Sequence, residues 1–169
     1  MKHTSFLIPA ILAATLISAH AAAVQSLGNF NDWSAHADGK GKDRVCWIYS
    51  EPKKAKGSYS KRGRIYALVT DRPGEGVTDQ VQFTAGYTFK KGSVVELEIG
   101  AKKFELFTNE DTAWARNKNE DHAIVTAMRA GSTMVVKGTS SRGTKTTDTY
   151  SLSGVTAAHS AIGKACGVK

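Results

Sequence analysis

The fold class is decided by residues 94–107, which read Val-Val-Glu-Leu-Glu-Ile-Gly-Ala-Lys-Lys-Phe-Glu-Leu-Phe. Apolar and polar residues alternate here, with Val95, Leu97 and Ile99 on one face, as in a strand that is buried on one side. Gly100-Ala101 supplies a two-residue turn, so residues 103–107 are predicted to return antiparallel to residues 94–99. The register of this hairpin sets Leu97 opposite Phe104, Glu98 opposite Lys103, and Glu96 opposite Glu105.

Similar short segments between turn residues recur along the chain. Strands are predicted at residues 30–35, 44–50, 64–70 and 79–84, and a second long hairpin joins residues 133–139 to 146–152. Helical spacing of apolar residues predicts two short helices, at residues 120–130 and 157–166. The pattern indicates a mainly β, antiparallel sandwich or small barrel.

The leader and the cysteines indicate an exported protein. A short basic start and an apolar run of twelve residues, 6–17, precede small residues that a signal peptidase reads, with cleavage near Ala21 or alternatively near Ala23. Residues 1–21 are therefore predicted to be a signal peptide and residues 24–169 a single domain. In an oxidising compartment, Cys46 and Cys166 most simply form one disulfide. The alternative, a redox-active or metal-ligating thiol, lacks the close cysteine spacing and the nearby ligands that it needs.

The location that follows is the periplasm, with the outer surface or the medium as alternatives. After the leader, no apolar run is long enough to span a bilayer as a helix. Because an exported protein rarely meets chromosomal DNA, nucleic acid is not an expected partner.

Excess positive charge concentrates in one segment. The chain has 23 Lys and Arg against 15 Asp and Glu, a formal charge of +8. We predict that the basic stretch 51–64, together with the hairpin turn around Arg142, forms a surface for a protein or for an anionic envelope component such as lipid headgroups or lipopolysaccharide. The alternative is a solvated loop that keeps the protein soluble. The residues of this candidate surface are Lys53, Lys54, Lys56, Lys61, Arg62, Arg64 and Arg142.

The sequence shows no catalytic, cofactor-binding or metal-binding motif. His36, His122 and His159 are not at metal-ligand spacing, and no nucleophile or phosphate-binding motif is present. We predict that the protein is not an enzyme and needs no cofactor. Its three tryptophans, Trp33, Trp47 and Trp114, are predicted to be core residues in preference to a ligand platform, and Trp47 to pack near the disulfide.

The chain resembles the invasion-associated locus B family of exported bacterial proteins. The residues that carry the resemblance are Trp33, Cys46, Leu68-Val69-Thr70, Arg72-Pro73, Gly86-Tyr87, Phe89, Gly92-Ser93, Ile99-Gly100, Phe104-Glu105-Leu106-Phe107, Ala113-Trp114-Ala115, Ala127-Met128-Arg129-Ala130-Gly131, Met134-Val135-Val136, Gly138-Thr139-Ser140, Arg142-Gly143-Thr144, Asp148-Thr149-Tyr150-Ser151-Leu152 and Cys166. The resemblance implies an immunoglobulin-like β-sandwich, export, and an association with host-cell invasion. It brings no set of catalytic residues.

These observations predict a non-enzymatic envelope or secreted protein that presents a surface to another macromolecule. The first alternative is a periplasmic helper that binds envelope proteins, for example through an open sheet edge. The second is an uncharacterised enzyme, which would need a cleft that joins His122 or His159 to a carboxylate and a hydroxyl group.

Overall fold

The computed structural model describes residues 24–168, which contain eleven strands, two α-helices and two short 3-10 helices. The predicted signal peptide, residues 1–21, lies outside this part. The strands are β1 Gln25–Phe30, β2 Trp33–Asp38, β3 Val45–Ser50, β4 Lys54–Gly57, β5 Tyr66–Arg72, β6 Val77–Thr84, β7 Val94–Ile99, β8 Lys102–Asn109, β9 Thr112–Trp114, β10 Thr133–Thr139 and β11 Lys145–Ser151; the helices are α1 Lys118–Ala130 and α2 Val155–Cys166.

All eleven strands belong to one antiparallel sheet, in the order β1-β2-β3-β5-β6-β9-β8-β7-β10-β11-β4. If the sheet were flat, β3 and β4 would lie eight strand spacings apart, about 38 Å. Yet only Glu51–Lys53 connect them, and such a link reaches about 14 Å at most. The sheet must therefore roll up, so that its two halves face each other across a common core.

Contacts between distant strands confirm that the two halves meet. The Phe83 ring of β6 packs edge-on against Tyr150 of β11, with ring centroids 6.2 Å apart. The indole N–H of Trp33 in β2 donates to the Ser151 carbonyl oxygen at 2.9 Å. Trp33, Phe83 and Tyr150 are each at most 2 % exposed. The mainly β antiparallel fold is as predicted, whereas the immunoglobulin-like arrangement of the strands stays a prediction.

The hairpin that decides the fold class has the predicted register. Leu97 pairs with Phe104, Glu98 with Lys103, and Glu96 with Glu105, and Gly100-Ala101 forms the turn. The second hairpin likewise joins Thr133–Thr139 to Lys145–Ser151, within one residue of the prediction.

Two predictions about local structure were wrong. Residues 30–35 were predicted to be one strand, but Asn31, in the left-handed region at φ 52°, makes the turn between β1 and β2. Residues 51–64 were treated as a loop, but they contain β4, which pairs with β11 at an outer edge of the sheet. The exposed sequence Lys-Ala-Lys-Gly of β4 has no apolar alternation, so its strand state depends on the partner strand.

The disulfide attaches the C-terminal helix to the sheet. Cys46 in β3 is bonded to Cys166, the last residue of α2, with Cα atoms 6.1 Å apart, as predicted. Trp47 follows Cys46 but lies on the opposite face of β3, since successive strand residues alternate. Its half-buried ring stacks on His36 with centroids 5.5 Å apart. The expected packing of Trp47 near the disulfide was therefore wrong.

A candidate anion-binding groove

The structure brings part of the predicted basic stretch and the predicted hairpin turn to one groove. Lys61, in the segment after β4, and Arg142, in the turn between β10 and β11, both line a cavity of about 570 Å³. Both residues are exposed. Neither makes a salt bridge with any residue between 24 and 168. We call this cavity the basic groove.

The walls of the basic groove contain hydroxyl groups and aromatic rings but no carboxylate. Tyr59 and Tyr87 contribute the rings, and Tyr59 is 37 % exposed. The positive charge of Lys61 and Arg142 is therefore not neutralised at the surface of the groove. Besides these four residues, the lining consists of Ser58, Ser60, Arg62, Gly63, Gly86, Thr88, Ser140, Ser141, Thr144 and Thr146.

Arg62 lies beneath the groove and is not available to an anion at the surface. Its side chain is only 4 % exposed and forms a two-pronged ion pair with Asp148 of β11, with N–O distances of 2.7 and 2.5 Å. Its Nε donates to the Ala85 carbonyl oxygen at 2.6 Å. The guanidinium also lies 5.4 Å from the Tyr59 ring centre and 4.9 Å from that of Tyr87. Arg62 thus fastens the segment 58–63 to the sheet.

The pKa values of this pair reflect competition between burial and pairing. Burial raises the pKa of Asp148, and the hydrogen bonds from Arg62 oppose that rise. Burial is the largest single influence on the pKa of Arg62 and lowers it, but the hydrogen bonds and charge interactions with Asp148, together with smaller contributions from Tyr59 and Tyr87, raise the pKa overall. Arg62 stays a cation, and its charge is balanced by Asp148 when that carboxyl is ionised.

Main-chain and side-chain hydrogen bonds fix the walls of the basic groove. Gly63 N–H donates to the Gly86 carbonyl oxygen at 2.8 Å, and a Cβ on Gly86, whose φ is 71°, would lie 2.6 Å from the Gly63 oxygen. The two chain segments can approach so closely because Gly86 has no Cβ, whereas a Cβ on Gly63 would lie 3.2 Å from the Gly86 oxygen, a tight contact. On the other wall, the hydroxyl groups of Tyr87 and Thr146 lie 2.6 Å apart.

The remaining predicted basic residues lie away from the basic groove. Lys54 and Lys56 are exposed on the edge strand β4 and do not line the groove. Lys53 forms a salt bridge with Asp32. Arg64 donates to the Tyr49 hydroxyl at 2.8 Å and pairs with Glu51 at 3.3 Å. The seven residues therefore divide into three groups: the two groove cations Lys61 and Arg142, the buried Arg62, and four residues that lie away from the groove.

Two histidines that looked isolated in the sequence converge on one carboxylate. His122 Nδ1 lies 2.9 Å and His159 Nε2 lies 2.6 Å from the two carboxylate oxygens of Asp79. They line a cavity of about 480 Å³ that also includes Thr78 and Ser160. The histidine hydrogen bonds lower the pKa of Asp79, with His159 as the largest cause.

This histidine cluster does not assemble a nucleophile with its base. In the described part of the chain, no hydroxyl group hydrogen-bonds to either imidazole. The side-chain hydrogen-bond partner of each ring there is Asp79. Among residues 24–168, no group of three or more His, Cys, Asp and Glu has a geometry that could hold a metal ion. The cluster joins α1 and α2 to β6.

Sequence reasoning missed a largely apolar row of side chains on the outer face of the sheet. Trp47 and Trp114 are half-buried on this face, so the prediction that they are core residues was wrong, whereas it was right for Trp33. Strand pairing aligns a largely apolar row across six strands, in which Phe107 is 44 % exposed. The row consists of Tyr49, Leu68, Gln82, Trp114, Phe107 and Val94.

The geometry first defines a class of protein: a disulfide-linked antiparallel β protein with a basic groove beside the turn that joins β10 to β11. The chain belongs to the invasion associated locus B (IalB) protein family, whose sequence model matches residues 33–163. No curated protein and no solved structure matches the chain. Among the described residues, no helix is long and apolar enough to cross a membrane.

Proposed function

We propose that this member of the family is an exported, non-enzymatic interaction protein whose basic surface binds an anionic component of the cell envelope. The observation that carries the proposal is the basic groove, which Lys61 and Arg142 both line and whose lining contains no carboxylate. Lys54 and Lys56 on β4 extend the same charge along the sheet edge. With a formal charge of +8, the whole chain also attracts anions at long range.

The test is binding to anionic surfaces at two salt concentrations. We expect the mature protein to bind vesicles that contain phosphatidylglycerol, or lipopolysaccharide micelles, more tightly at about 20 mM than at about 150 mM salt, because salt screens exposed charges. Neutralising four residues, Lys54→Gln, Lys56→Gln, Lys61→Gln and Arg142→Gln, should weaken binding at low salt. Arg62 is left unchanged because its loss would leave Asp148 unpaired in the interior.

A matched control separates the proposed surface from net charge. Lys40, Lys42, Lys102 and Lys164 are exposed, lie outside the basic groove and make no salt bridge within residues 24–168. Changing these four to Gln removes the same charge and should leave most of the binding intact. Equal losses in both variants, or no binding of the unchanged protein at low salt, would contradict the proposal.

The helper hypothesis finds less support at the edge of the sheet. Strand addition needs an accessible edge, and β4 is an outer strand of the described sheet. However, β4 is only four residues long and carries Lys54 and Lys56. Short, lysine-bearing edges are the type that discourages pairing with another chain.

A further inference from the structure

We infer that the basic groove is a site for a phosphorylated sugar, with the phosphate held by Lys61 and Arg142 and the sugar ring by the hydroxyl-rich walls. This inference rests on the proposed function and names the chemical group that its anionic partner would present. It also distinguishes a shaped site from general attraction between a basic protein and an acidic surface.

The charges that line the groove suit an anionic group. Its lining carries the cations Lys61 and Arg142 and no carboxylate, and the third cation, Arg62, is balanced from below by Asp148. Arginine and lysine are the side chains that proteins use for phosphate, arginine as a two-pronged donor and lysine as a point charge. A phosphate group in the groove would therefore meet positive charge on its lining without having to displace an internal ion pair.

The walls fit a polyhydroxylated ligand better than a bare phosphate. The hydroxyl groups of Ser58, Ser60 and Ser141 line the groove, and none makes a hydrogen bond within the described residues. Each can donate and accept, as a sugar hydroxyl requires. The Tyr59 ring, exposed by 37 %, adds an apolar surface with a polar tip at the same place.

The shape of the groove is fixed before a ligand arrives. Arg62 ties the Lys61 side of the groove to Asp148 in β11, and Ser141 N–H donates to the Thr88 carbonyl oxygen at 2.8 Å beside Arg142. A site that is already ordered loses less conformational entropy on binding. Its volume of about 570 Å³ falls within the usual range of small-molecule sites, about 300–1,000 Å³.

The experiment compares three probes on the full mature chain by calorimetric titration: N-acetylglucosamine 1-phosphate, N-acetylglucosamine and inorganic phosphate. We expect the sugar phosphate to bind more tightly than either fragment, because only it uses both the cations and the hydroxyl walls. The double variant Lys61→Gln/Arg142→Gln should lose about tenfold or more in affinity, as expected for lost charge-assisted hydrogen bonds.

The control variant Lys54→Gln/Lys56→Gln removes the same charge from β4 and should change the affinity less than about twofold at about 150 mM salt. Amide chemical shifts should move in residues 58–63 and 140–146 when the sugar phosphate is added. Thermal melting of each variant verifies that it is folded.

The outcomes separate this inference from the proposed function. If the sugar phosphate binds no better than inorganic phosphate, or if both double variants lose equally, the groove is not a sugar-phosphate site. The proposed function survives that result if anionic vesicles still bind through the basic surface. A comparison of lipopolysaccharide with vesicles of phosphatidylglycerol, which lack a sugar phosphate, then shows which source of phosphate is preferred. If lipopolysaccharide binds more weakly than these vesicles, the inference is overturned.

Discussion

Arg62 lies in a run of exposed cations, yet its guanidinium is held between Asp148, the Ala85 carbonyl and two tyrosine rings. At the residue scale, then, neighbouring positions in one segment have different roles. Lys61 is exposed in the basic groove, whereas Arg62 supports the groove from beneath. A charged run in a sequence does not reveal which of its members point inward, because that depends on the partner strand.

The buried pair makes a prediction about stability. Arg62→Met should lower the free energy of unfolding by about 3–5 kcal/mol, because it leaves the carboxylate of Asp148 buried without a partner. The double variant Arg62→Met/Asp148→Leu should recover much of that loss, since it removes both charges. Urea denaturation measures both values. If the single variant were as stable as the unchanged protein, the ion pair could not be the attachment of residues 58–63.

At the scale of elements, α1 completes an edge that the strands leave open. Within β6, only Gln82–Thr84 pair with the short strand β9. The backbone N–H of the preceding residue, Val81, donates instead to the carboxylate of Asp121 in α1, at 2.8 Å. Asp121 is 8 % exposed. Burial raises the pKa of Asp121 to about 6, although the Val81 N–H opposes the rise.

This carboxyl should make stability depend on pH. Since its pKa is higher in the folded state than in the unfolded state, the folded protein binds more protons between about pH 4 and pH 6. The contribution of Asp121 to the free energy of unfolding therefore falls as pH rises through that window, by at most about 3 kcal/mol. Asp121→Asn keeps an acceptor for Val81 and cannot ionise, so its unfolding free energy should decline less between pH 4 and pH 7.5. Urea denaturation of both proteins at several pH values measures these free energies. An equal decline in the unfolding free energy of the two proteins would contradict the prediction.

At the scale of the whole molecule, the disulfide joins the first half of the sheet to the end of the chain. Cys46 and Cys166 are 120 residues apart, and α2, which carries Cys166, also packs on β1, β2 and β5. The helix contains Gly163, and its N-cap residue, Gly154, has no side chain that could cap it. Its own propensity is therefore weak, and its position depends on the sheet and on the disulfide.

Removing the disulfide should destabilise the whole protein. For Cys46→Ala/Cys166→Ala we expect the free energy of unfolding to fall by about 2–5 kcal/mol, because the disulfide no longer closes a long loop in the unfolded chain. The melting temperature should fall, and amide exchange should increase first in residues 155–166. An unchanged melting temperature after complete reduction would show that packing alone holds α2 in place.

Several local features, though not the turn at Asn31, were predictable from the sequence because they depend on residues close together in the chain. The alternation of apolar and polar residues, together with the two-residue turn, was enough to predict the register that sets Leu97 opposite Phe104. Helical spacing was enough for α1 and α2 to within two residues at each end. Strand β4 was not predictable in this way, since its exposed residues carry no period and only pairing with β11 makes it a strand.

The sequence by itself determined the β7–β8 and β10–β11 hairpins, the two helices and, through its single pair of cysteines, the disulfide. Only the tertiary structure decided that Lys61 and Arg142 line one groove, that Arg62 pairs with Asp148, and that His122 and His159 meet at Asp79. These juxtapositions come from the rolling of an eleven-stranded sheet, which brings strands far apart in the ladder face to face. Periodicity reports which side of a strand a residue lies on, but the partner across the core is set by how the whole sheet closes.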